Sequence, residues 1–243
     1  LLVTTIFFSK WHIFFNLIKD KKKLLTLSIS GILIFSNWAV WIYAVATDQI
    51  IDASFGYFIM PIISVFLGYF FFKEKISYKA KFSIFIVIIS ILYLLFIDFR
   101  SIPWIGLVVA VLWSVYNLIK KKINVDTDIG LFIESLLIFP FILFVFYIIT
   151  KNNFNDFDIS NPSLMFILIL AGPMTVIPLF LYVKGVELSG LGPAGMIFYI
   201  TPTLQFILGY FLFNEPLIMQ KLVSFILIWI AVFIYLKDLY EKN

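Results

Sequence analysis

The chain has 243 residues, 63% of them hydrophobic and 13% charged, with 30 Phe, a mean hydropathy of +1.07 and a net charge of +4. That apolar share excludes an ordinary water-soluble domain. With no Cys and a single His12, disulfides, thiol nucleophiles and histidine-rich metal sites are excluded as well. The lysines sit in short loops beside apolar runs, where they orient a membrane protein, so no nucleic-acid partner is expected.

Crossing about 30 Å of hydrocarbon takes roughly 20 apolar residues as a helix, and open sheets cannot satisfy their backbone in lipid. The sequence is therefore all-α and polytopic. Leu1–Phe8 is apolar but too short to span and reads as the tail of a span whose beginning is missing. Residues 10–23 follow as an interfacial stretch in which Trp11, Phe14, Phe15 and Leu17 alternate with lysines. Predicted spans then run over 24–47, 50–72, 80–97, 103–119, 129–149, 162–184, 191–213 and 217–236. If Lys10–Lys23 face the cytoplasm, every other Lys and Arg does so too, except Arg100, Lys151 and Lys221. The C-terminus is then cytoplasmic, in the inner membrane.

Residues 67–74 read Leu-Gly-Tyr-Phe-Phe-Phe-Lys-Glu and residues 208–215 read Leu-Gly-Tyr-Phe-Leu-Phe-Asn-Glu, at an offset of 141. The same offset pairs Ala53 with Ala194, Ile59 with Ile200, Pro61 with Pro202 and Glu74 with Glu215. Gly, Pro and Glu at fixed spacing are not what hydrophobic bias supplies, so a duplication is expected. The second copy lies five spans after the first, an odd number, so the halves are inverted. That plan recurs in secondary transporters, whose site lies near the midplane between two similar halves. The halves are placed at 1–98, a remnant plus three spans, and 99–243, five spans. Pro61 and Pro202 each free the carbonyl four residues back, on Tyr57 and Phe198, and mark either a binding site or a packing kink.

These residues resemble the RarD subfamily of the EamA-type drug/metabolite transporters. The resemblance covers essentially the whole chain and rests on Asn37-Trp38, on Ala53-Ser-Phe-Gly-Tyr-Phe-Ile-Met-Pro61 and on Gly130-Leu-Phe-Ile-Glu134. It rests also on Tyr199-Ile-Thr-Pro-Thr-Leu-Gln205 and on the Phe-x-Glu-Pro that ends at Pro216. One departure is Met60, where the family has Asn before the proline. The resemblance implies two inverted five-helix repeats with both termini cytoplasmic, here without the first span and part of the second. It also implies a permease of small organic solutes.

Glu134 lies inside an apolar span, where a carboxylate is costly unless paired, hydrated or protonated, and it is the candidate for proton coupling or for a wet structural role. Asn37 and Trp41 share a helical face, with Trp38 close by, and Trp113 and Asn117 repeat that arrangement. Together with Tyr57, Tyr182, Tyr199, Thr201 and Gln205 they offer aromatic walls and hydrogen-bond donors for a cavity, or interface anchors and interhelical glue. Lys184 either meets an anion or snorkels. Glu74 and Glu215, each in a hairpin ahead of the next helix, are expected to cap helices.

Gly190-Leu-Gly-Pro-Ala-Gly195 matches G-x-G-x-x-G without the strand that a dinucleotide site requires, and reads as a hairpin between spans. No P-loop, nucleophile elbow or zinc motif appears, so neither an enzyme nor a cofactor is expected. The expected partners are the lipid bilayer and a small organic solute, with a homodimer left open. The function expected is a secondary transporter working by alternating access. Its rivals are a noncatalytic membrane scaffold and an integral-membrane enzyme acting on lipids.

Overall fold

The computed structural model describes residues 10–47, 49–98, 103–152, 154–155, 157, 161–212 and 219–241. The described elements are all helices: α1 (Trp11–Lys19), α2 (Lys21–Ala46), α3 (Ile50–Phe72), α4 (Tyr78–Asp98), α5 (Trp104–Ile123), α6 (Thr127–Lys151), α7 (Pro162–Ser189), α8 (Leu191–Ile197), α9 (Ile200–Leu212) and α10 (Met219–Tyr240). Among the described residues seven helices are long and apolar enough to cross a membrane. The apolar stretch 1–8, read as the tail of a span, lies outside the described residues.

One predicted element is corrected. The span expected over 191–213 is two helices, α8 and α9, separated at Phe198 and Tyr199. Pro202 explains the break: it cannot donate to the Phe198 carbonyl, and its ring would collide there in a continuous helix. The chain tightens instead, the N–H of Thr201 reaching that carbonyl at 2.9 Å. Pro202 becomes the third residue of α9, in the first turn, where a backbone N–H has no intrahelical acceptor. Pro61, by contrast, sits inside an unbroken α3.

The helices form two compact units, one of residues 1–35 with 119–185, the other of residues 36–118 with 186–243. This division by packing differs from the division into sequence halves at residue 98, because each unit draws helices from both. In the first unit, Phe14 and Leu17 of α1 bury against Ile129, Phe132 and Ile133 of α6, with Phe14 and Phe132 rings 5.5 Å apart. The interfacial stretch is thus a short helix laid on α6. Asp20 then starts α2 by accepting the N–H groups of Lys22 and Lys23, both at 3.1 Å.

In the second unit α4 packs on α10. Val87 and Ile91 meet Ile228 and Ala231 in the core, and two serines stitch the helices through backbone carbonyls. Ser83 Oγ donates to Ala231 O, and Ser90 Oγ to Ser224 O at 2.8 Å. The serines are seven residues apart and their acceptors seven apart in reverse, the register of two antiparallel helices. Polar residues such as Ser83, Ser90, Ser114 and Asn117 are buried, while Phe139, Phe144, Phe166 and Ile167 are exposed. That arrangement suits a protein whose outer solvent is hydrocarbon and whose helices associate through small and hydrogen-bonding residues.

Candidate functional site

In the second unit, four rings from four segments make a continuous aromatic wall. Trp41 of α2 and Tyr57 of α3 have ring centroids 5.2 Å apart. Tyr57 lies 5.8 Å from Phe198, in the break between α8 and α9. Phe198 in turn lies 5.8 Å from Trp113 of α5. All four are only partly buried. Trp113 stands nine residues from one end of α5 and ten from the other, about 14 Å from either at 1.5 Å per residue, so the wall sits mid-span.

The wall is held by polar contacts to backbone carbonyls around Pro61. The Tyr199 hydroxyl donates to Phe58 O at 2.8 Å, and the Ser114 hydroxyl to Met60 O at 3.4 Å. These outside donors bond carbonyls flanking the proline, not the Tyr57 carbonyl that Pro61 itself leaves without a helical donor. Gly195 brings α8 close: a Cβ there would lie 2.8 Å from Ser64 Cβ and 3.2 Å from Pro61 O. Thr203 Oγ1 bonds Tyr199 O at 2.7 Å and accepts Trp229 Nε1–H at 2.8 Å, which fixes the first turn of α9.

Of the candidates read from sequence, Trp41, Tyr57 and Trp113 come together here, with Tyr199 and the buried Pro61 and Pro202 beside them. Asn117, one turn beyond Trp113, is fully buried, at 0% exposure. Asn37 instead donates to Val109 O at 2.8 Å and ties α2 to α5. Trp38 is 37% exposed and takes no part in the ring chain. Tyr182 and Lys184 belong to the first unit. The Gln205 side chain and Glu215 lie outside the described residues. Sequence reading passed over the Phe198 ring; the signal available was its place opposite Tyr57 at the repeat offset.

The first unit holds a buried charge pair. Glu134 Oε1 accepts from Lys120 Nζ at 3.0 Å and from the Ser30 hydroxyl at 2.5 Å. Lys120 and Glu134 side chains are 1% and 3% exposed. Gly130 makes room for the lysine, since a Cβ there would lie 2.7 Å from its Nζ. Sequence reading placed Lys120 only among the lysines assigned to the cytoplasmic side. Its engagement with Glu134 supplies the counter-charge that a carboxylate inside an apolar span needs.

Glu74 caps a helix, but not the one expected. Its Oε1 accepts from Leu191 N at 2.9 Å and its Oε2 from Gly192 N at 3.0 Å, so the carboxylate closes the start of α8. The next helix in the chain, α4, is capped by Ser77, whose Oγ accepts from Ala80 N at 3.0 Å. Lys73 in the left-handed region, at φ 53°, turns the chain at the end of α3 and lets Glu74 reach back. Gly68 leaves space for the carboxylate, because a Cβ on it would collide with Glu74. The Leu-Gly-Tyr-Phe-Phe-Phe-Lys-Glu motif is therefore one device, its glycine and glutamate meeting in space.

A family model described as the EamA-like transporter family matches residues 100–237. The chain is 31% identical over 236 residues to the uncharacterized transporter YojE of Bacillus subtilis, covering 96% of this chain and 78% of that protein. It is 31% identical over 229 residues to protein RarD of Escherichia coli, covering 94% and 77%. To the uncharacterized transporter PA0485 of Pseudomonas aeruginosa it is 29% identical over 226 residues, covering 92% and 75%.

Proposed function

Because the chain belongs to the EamA-like transporter family, and within it to the RarD subfamily, it is a multi-pass membrane transporter, and we propose that it moves a small organic solute by alternating access. The observation that carries this reading is that residues at the repeat offset touch one another. The Tyr57 ring lies tilted against Phe198, and Phe58 accepts from Tyr199, each pair separated by the same 141 positions as the two copies of the motif. If two segments are related by a two-fold axis, a residue meets its own counterpart only at that axis. In this reading the aromatic wall lies at the axis between two inverted halves, where such transporters bind solute.

The ends of the second unit support the orientation read from the lysines. The Glu74 contact puts the α3–α4 loop beside the start of α8, and Lys79 paired with Glu241 puts the start of α4 beside the C-terminal end of α10. In this reading that end is cytoplasmic and the membrane is the inner one. Glu134 stays the candidate for proton coupling, with Lys120 as the charge that balances it.

Counterflow in proteoliposomes tests the proposal. Vesicles preloaded with amino acids, nucleosides or amphiphilic drugs should accumulate trace external label of at least one of them, without ATP. Exchange by none of them, or conversion of a solute to product, would contradict it.

A further inference from the structure

The transporter reading leaves the solute unnamed, and the wall at Tyr57 and Phe198 narrows it. Asn117 is the informative residue. It is wholly buried, and neither its Oδ1 nor its Nδ2 has a hydrogen-bond partner among the described residues. An amide placed so forfeits the hydrogen bonds it would make to water, a cost that a partner with matching donor and acceptor removes. Asn117 follows Trp113 by four residues, on the same face of α5. That face turns toward α2 and α3, since Val109, four residues before Trp113, packs with Ala44 and Trp41 of α2 and Ala53 of α3. Asn117 thus stands one turn of α5 beyond the wall's Trp113, on the face that carries it.

The charges of the unit are elsewhere. Its described charged side chains are Lys73, Glu74, Lys75, Lys79, Lys81, Glu187, Lys237, Asp238 and Glu241, all in loops or in the first or last turn of a helix. Lys120, three residues beyond Asn117 on α5, has Glu134 as its counter-charge. The side chains of the wall itself are neutral. Rings partly exposed in series favour a planar π-system, which stacks on them or meets them edge to face.

Resting on the transporter reading, we propose that this site takes an uncharged, planar ring compound bearing a carboxamide-like donor and acceptor pair, held by the wall of Trp41, Tyr57, Phe198 and Trp113 and read by Asn117. The ring is selected by stacking, and the polar edge by the two amide atoms that otherwise have no partner. An anion is rejected because no charged side chain among the described residues stands at the wall to balance it, and an aliphatic amide because it cannot stack.

Three probes of similar size separate these terms: benzamide, benzoate, and cyclohexanecarboxamide. Binding to the purified full chain is read from tryptophan fluorescence and by calorimetry. Benzamide should bind saturably, and the other two about tenfold or more weaker, the discrimination expected of a site built to hydrogen-bond its ligand. Asn117→Leu should keep or raise the thermal midpoint, because it removes an unpaired buried amide, and should abolish the preference for benzamide over benzoate. Trp113→Leu should abolish the preference for benzamide over cyclohexanecarboxamide. Equal binding of the three probes, no binding of benzamide, or an Asn117→Leu variant that keeps its preference would each overturn the proposal.

The two readings fail separately. Counterflow of other solutes with no binding or competition by ring carboxamides would leave a transporter of another specificity. Saturable, Asn117-dependent benzamide binding without counterflow of any solute would leave the site and remove the transport.

Discussion

The hydroxyl of Tyr199 donates to the carbonyl of Phe58 at 2.8 Å, and the two residues stand 141 positions apart, the spacing of the duplicated motif. The bond joins the break between α8 and α9 to the proline-bearing stretch of α3. Tyr199→Phe removes the added donor to the Phe58 carbonyl, at a cost of about 0.5–1.5 kcal/mol, the net worth of one hydrogen bond. The variant should show a lower thermal midpoint and slower counterflow with the same solute preference. Unchanged stability and exchange would show that the bond does not hold the break in place.

Glu74 and Gly68 should behave as one unit. Glu74→Ala removes the acceptor at the start of α8 and should cost about 0.5–2 kcal/mol, the range for loss of a helix cap. Gly68→Ala should cost a similar amount by displacing the same carboxylate. Once the carboxylate is gone the added methyl has nothing to displace, so the double variant should be no worse than Glu74→Ala alone. Additive losses in a double-variant cycle would contradict this coupling.

The Lys120–Glu134 pair predicts an asymmetry between single and double variants. Glu134→Leu leaves a buried ammonium without its carboxylate and should cost about 3–5 kcal/mol, with a similar loss for Lys120→Met. The double variant should recover most of that stability. If it also transports with an unaltered pH profile, the pair is structural; if it folds but loses pH dependence, Glu134 carries the proton. A double variant as unstable as either single one would mean that the charges do not compensate each other.

Lys10 bonds Asp128 at 2.9 Å and Asp126 at 3.1 Å where α1 meets the start of α6. Burial acts to lower the pKa of its ammonium, but the hydrogen bonds and charges of Asp128 and Asp126 together outweigh burial and raise it above the ordinary 10.5. A raised folded-state pKa contributes stability that is fully present below 10.5 and is lost as pH rises through the higher value. Wild-type protein should therefore lose more stability than Lys10→Met as pH rises from 10.5 through the raised value, by a small amount that salt reduces. Parallel pH profiles for the two would contradict it.

Lengths, apolar runs and lysine placement were enough to read seven of the eight predicted spans, because a membrane helix must be long, apolar and flanked by charge. The eighth failed at Phe198 and Tyr199. A proline signals that a helix is disturbed, yet whether the helix runs on, as at Pro61, or breaks, as before Pro202, depends on packing against other segments. Ser114 and Tyr199 reach α3 from distant parts of the chain, and no local pattern reveals that. The same limit applies to the site. Trp41, Tyr57 and Trp113 were legible as aromatic residues on helical faces, whereas Phe198 was one Phe among thirty until its neighbour was known. Glu134 stood out as a lone carboxylate, but its counter-charge was hidden among the lysines assigned to the cytoplasmic side. Glu74 was legible as a cap, and the helix it closes, 117 positions away, was not.

The most direct test of the account is the access of water-borne reagents to the aromatic wall from the two faces of the membrane. The chain has no cysteine, so Phe198→Cys gives a single thiol without background. In proteoliposomes of known orientation, a membrane-impermeant maleimide should label that position when added to either face, and a transported solute should slow labelling from both. Labelling from one face only, under every condition, or from neither, would contradict alternating access at this site.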